Sequence, residues 1–208
     1  MATSPDPTGP AQGAPETPDA LHARALDDLR FIRRTMEGAA SFTALSGWGV
    51  FAIGVTAFPA AYLAAEAGAH RAWMQIWLLE AIIGVAIGFL TTARKARRAE
   101  EPLFGRPGRR FALTFATPMA AGAILTIPLY YGGITAVLPG MWLLLYGTAF
   151  ATAGAFSVST VPVMGLCFMV AGTAALAAPA ALGNWFMAAG FGALHVVFGA
   201  LIARKHGG

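Results

Sequence analysis

Glu80 and His195 each combine a titratable side chain with a setting that water should not reach. Each lies inside a long apolar stretch. A carboxyl or imidazole held in hydrocarbon costs several kcal/mol unless it is neutral or paired, so such a residue starts as a candidate for function. Together the two groups have the chemistry of proton transfer, one able to give what the other takes. At about 1.5 Å per residue, Glu80 lies about 10 Å and His195 about 15 Å from the outer ends of their stretches. Those depths allow a direct or water-bridged contact. Two readings follow. One is a proton-linked pair lining a path or small cavity. The other is a single interhelical hydrogen bond that fixes packing, and it asks for less, because no further ionisable side chain joins them.

Both residues share faces with glycines. Glu80, Gly84 and Gly88 recur at i, i+4 and i+8, and Gly192 and Gly199 stand at i−3 and i+4 from His195. Glycine faces let helices approach closely, so these four glycines are expected at helix contacts, with Glu80 and His195 turned into the bundle.

Other chemistry finds little support. His22 and His206 fall near the chain ends and His70 between two apolar stretches, leaving His195 as the one histidine inside a stretch. A bis-histidine haem would need two. No His, Cys or Asp cluster has metal-ligand spacing, and no phosphate loop, dinucleotide fingerprint or nucleophile beside a base occurs. Ser157 and Ser159 read as turn residues. Cys167, the single cysteine, lies in an apolar stretch and reads as packing. The expectation is no metal, no cofactor and no enzymatic activity.

The elements that must position these residues are set by composition. Apolar residues make up 57% of the 208 and charged residues only 12%, about half the share of a soluble domain. From Phe111 to Ala203 there is no Asp, Glu, Lys or Arg. A membrane span takes about 20 residues, so this stretch alone holds four spans with short turns. Six apolar segments are expected, near residues 40–65, 73–93, 111–131, 134–153, 158–178 and 185–203. Trp73, Trp77, Trp142, Trp185, Tyr62, Tyr130 and Tyr131 gather at their outer boundary as an aromatic belt. Trp48, in a Ser46-Gly47-Trp48-Gly49 setting, stands apart and suggests tight helix packing.

Orientation follows from charge. Of the 14 Lys and Arg residues only Arg71 falls on the outer side; the others precede the first span, follow the last, or lie between the second and third. Basic residues stay in the cytoplasm, which puts both termini there and requires an even number of spans. The pI near 9.7 therefore reflects topology. The basic loop suits anionic lipid headgroups, and no aromatic interleaving supports nucleic acid. A faint repeat of three hairpins is also visible: Trp77, Trp142 and Trp185 open the even spans, and Gly54 with Pro59, Gly122 with Pro128, and Gly172 with Pro179 close the odd ones.

Ahead of the spans, residues 1–17 form a Pro-rich tail with no secretory pattern. Residues 18–38 then read as a short amphipathic cytoplasmic helix. Leu21, Ala25, Leu29, Ile32 and Met36 share an arc of about 80°, opposite Asp27, Arg30, Arg34 and Glu37. Such a stripe suits a membrane surface, a partner helix or the protein's own inner face. The fold class is thus an all-α polytopic bundle of six transmembrane helices over residues 39–205.

Residues 27–37 (DDLRFIRRTME) and 41–49 (SFTALSGWG), with the closing residues 190–199 (GFGALHVVFG) and 203–208 (ARKHGG), resemble a family of bacterial multi-pass membrane proteins with no known activity. The resemblance implies a bacterial inner-membrane location and assigns no catalytic residue. The expected function is an accessory or signalling membrane protein acting through a protein partner, or as a homo-oligomer, among membrane lipids. The alternative is a small proton-linked transporter, or a transporter subunit, using Glu80 and His195.

Overall fold

A computed structural model describes residues 22, 24, 26–30, 32, 42–100 and 102–206. The chain divides into two units, residues 1–39 and residues 40–208. In the first, the described residues are helical, Arg30 pairs with Asp27 at 3.0 Å, and Leu26, Leu29 and Ile32 are exposed. The tail and the rest of the apolar stripe (Leu21, Ala25, Met36) lie outside the described residues.

The second unit is a bundle of helices. Its spans are α1 (Gly47–Glu66), α2 (His70–Arg98), α3 (Arg106–Tyr131), α4 (Leu138–Ala153) and α5 (Thr160–Ala177). The sixth span, Ala180–Lys205, joins α6 (Gly183–Met187), a π-helical stretch Ala188–Leu194 and α7 (His195–His206). Among the described residues six helices are long and apolar enough to cross a membrane. No strand forms among the described residues beyond an isolated bridge between Phe42 and Ser157.

Helix ends depart from the sequence expectation for local reasons. The first span begins at Gly47, seven residues into the apolar segment. Residues 43–46 before it carry no regular structure, and Phe42 donates its N–H to the Phe156 carbonyl at 2.6 Å while the Ser157 hydroxyl donates to the Phe42 carbonyl. Ser46 then caps α1 by accepting from the Gly49 N–H, which satisfies one orphan donor of the first turn. α2, with 29 residues, is about 43 Å long and carries Lys95, Arg97 and Arg98 in its last turn, where cations favour the helix dipole. Lys95 donates to the Leu45 carbonyl at 3.1 Å, tying the lead-in to α2.

Packing runs in a row: α2 on α1, α1 on the sixth span, and the sixth span on α4 and α5. The α4–α5 contact is the most extensive, and α3 lies against α4. Val50, Trp77, Leu143, Met164, Phe168, Met187 and Phe198 form the main core, with Cys167 half-buried against it. The only buried residues of α3 are Gly108 and Gly122. Ile82, Val85, Ile124 and Val170 are among the exposed apolar side chains, which suits lipid as solvent.

Two antiparallel seams carry the close contacts. In one, Gly47 and Gly54 of α1 meet Ala203 and Gly192 of the sixth span, while Gly199 of that span meets Phe51 of α1. A methyl on Gly54 would sit 2.7 Å from the Gly192 carbonyl oxygen, and one on Gly199 would overlap the Phe51 backbone. In the other, Gly140 and Gly147 of α4 meet Gly165 and Gly172 of α5; a methyl on Gly147 would lie 2.6 Å from both the Gly165 oxygen and the Met169 nitrogen. Gly84 and Gly88 differ. Each faces only the Ile53 side chain, at 3.5 and 3.6 Å from an added methyl, an ordinary contact.

Candidate functional site

Two buried titratable side chains and one half-buried amide join helices across the bundle. The first joins α1 to α2. Glu80, 7% exposed, accepts from the Thr56 hydroxyl at 2.8 Å. That hydroxyl has one proton and a second acceptor at 2.9 Å, the Ile53 carbonyl one turn back. Thr56 thus bridges its own helix backbone and the Glu80 carboxyl, joining α1 to α2.

The second lies in the sixth span. His195, fully buried, places Nε2 2.7 Å from the Tyr146 hydroxyl of α4. Aromatic rings surround it: Phe168 edge-on at 5.2 Å and Phe191 stacked at 6.0 Å. Nδ1 is buried without a hydrogen-bond partner among the described residues.

Glu80 and His195 are therefore not hydrogen-bonded to each other. Each has its own partner, in a different helix interface. The partners went unread in the sequence. Tyr146 carried a signal, since it stands in mid-helix while the other three tyrosines stand near helix ends. Thr56 carried none, because membrane helices commonly bond threonine to their own carbonyls.

The third group is at the opposite end of the bundle from Ser46. Asn184 accepts from the indoles of Trp73 and Trp77 at 3.4 and 3.3 Å and donates to the Ala61 carbonyl at 2.7 Å, so one amide ties the sixth span to α1 and α2. Trp73 stacks on Trp142 at 5.5 Å, and Trp142 donates to Thr126 of α3 at 2.8 Å. The tryptophans of the faint repeat occupy unlike places: Trp77 is 3% and Trp185 74% exposed. Trp48 is also exposed, while its neighbours Gly47 and Gly49 meet the Ala203 backbone and the Thr91 side chain.

Beside Asn184 a groove of about 750 Å³ opens among the ends of α1, α2, α4 and the sixth span; neither Glu80 nor His195 lines it. Among the described residues no three His, Cys, Asp or Glu side chains converge as a metal site would require.

Comparison with family models, curated proteins and solved structures finds no match to this chain.

Proposed function

We propose that this is a membrane-embedded accessory or signalling protein that acts through a partner, with both termini in the cytoplasm of a bacterial cell and the bundle in its inner membrane. The observation that carries the reading is that the described residues of the first unit are helical, with Leu29 and Ile32 side chains 61% and 51% exposed beside an exposed Asp27–Arg30 pair. An apolar stripe on a charged helix is the form that docks against another helix or a membrane surface. The bundle supports the same reading from the other side. Glu80 and His195 keep separate local partners, as packing groups do, and the Ser157 hydroxyl is committed to a backbone carbonyl rather than to a base. Proton-linked transport and catalysis are accordingly the weaker readings.

Two experiments test the proposal. Replacing Leu29 and Ile32 with Asp should leave membrane insertion unchanged and abolish chemical cross-linking of this segment to its partner; unchanged cross-linking would remove the support. Reporter fusions at residues 20, 100 and 208 should report cytoplasm, and those near 68, 133 and 182 the far side. An outer report at residue 100 would overturn the orientation, because all Lys and Arg but Arg71 would then lie on the wrong face.

A further inference from the structure

We propose that the groove at the Asn184 end of the bundle binds lipophilic cations. Its volume of about 750 Å³ lies within the range of small-molecule sites, about 300–1,000 Å³. Four aromatic side chains line it: Phe58 and Tyr62 from α1, Trp73 from α2, and Trp185 from the sixth span. Tyr62 and Trp185 are 68% and 74% exposed, so their rings are open to a ligand rather than occupied by the protein's own packing. Aromatic faces attract cations, tryptophan and tyrosine most strongly.

Charge selects the same ligand class. Glu66, the last residue of α1, also lines the groove and has no ion-pair partner among the described residues. Arg71, the one Lys or Arg of the α1–α2 end, lines a separate shallow groove beside Tyr130 and Tyr131 instead. Asn184 is a wall and not a free ligand group, since its amide oxygen and nitrogen are already bonded to Trp73, Trp77 and Ala61. The N-terminus of α2, at His70, also reaches this groove and would favour an anion, but a helix end carries only about half an elementary charge, against the full charge of a carboxylate. The site thus offers apolar aromatic walls and one uncompensated negative group. That fits a bulky organic cation and disfavours a phosphate or a bare acyl chain. The inference concerns a ligand and stands whether or not the first unit docks a partner.

The test uses the full chain in zwitterionic lipid nanodiscs, titrated with tetraphenylphosphonium and with tetraphenylborate, ions of one shape and opposite charge. Tryptophan fluorescence and calorimetry read binding above that of empty nanodiscs. Tetraphenylphosphonium should bind saturably, one per chain, and tetraphenylborate should not. E66Q should weaken the cation about tenfold while E66D keeps most of the affinity; W185A should weaken it and W185F largely restore it. Because Glu66 and Trp185 are exposed, these variants leave the core intact, which unfolding midpoints check. Equal binding of the two ions, unsaturable binding, or an unchanged affinity in E66Q would overturn the proposal, equal binding assigning the groove to lipid chains.

Discussion

Replacing Tyr146 with Phe removes one oxygen atom from the centre of the bundle and leaves the His195 Nε2 without its only partner. The ring is fully buried, so water cannot substitute. A stranded buried polar group costs about 1–3 kcal/mol, yet hydrogen bonds between membrane helices average about 0.6 kcal/mol in double-mutant cycles and reach about 1.7. His195→Leu would lose the same bond together with ring contacts to Phe168 and Phe191, worth about 0.5–1.5 kcal/mol each. The single losses alone therefore do not isolate the bond. The cycle does, because Tyr146→Phe with His195→Leu removes both ends at once and the ring terms cancel. We expect the double variant to be more stable than the sum of single losses by about 0.6–1.7 kcal/mol. A parallel cycle on Glu80→Gln and His195→Leu should be additive within about 0.5 kcal/mol, since the two residues share no hydrogen bond. Reversible unfolding in mixed micelles, followed by tryptophan fluorescence and circular dichroism, measures both. Additivity at Tyr146 and His195, or coupling above that limit at Glu80 and His195, would refute the assignment of partners.

Glycine substitutions should separate the seams from the looser α1–α2 contact. Gly147→Ala forces a methyl against two backbone atoms of α5 and should cost about 1–3 kcal/mol, whereas Gly84→Ala meets only a movable Ile53 methyl and should be near neutral; equal losses in the unfolding assay would refute the seam. At the end of α2, Glu100 adopts φ 54°, a left-handed conformation that glycine takes without strain. Glu100→Gly should stabilise by about 1 kcal/mol, and a lower unfolding midpoint would contradict that conformation.

Six helices of membrane-spanning length were legible without coordinates, because length and apolar composition alone set them: an uncharged run from Phe111 to Ala203 has room for four spans and their turns. The basic residues likewise mark the helix ends, as Arg94 to Arg98 and Arg106 to Arg110 do. Which face of each helix turns inward was not legible. In water a polar face marks the outside, but lipid tails are as apolar as the interior, so α4 and α5 carry no stripe to read. The small residues hold that information, at a spacing of seven in Gly140 and Gly147, Gly165 and Gly172, Gly47 and Gly54, and Gly192 and Gly199. A seven-residue recurrence keeps one side of two slightly crossed helices in register. The glycine face beside Glu80, spaced by four, packs loosely instead. Depth along the span brought Glu80 and His195 to similar levels, but depth gives no lateral position. Only the packing of α1 beside α2 supplied Thr56, and only the packing of α4 on the sixth span supplied Tyr146, because a buried polar group bonds to the nearest partner the assembled helices offer it.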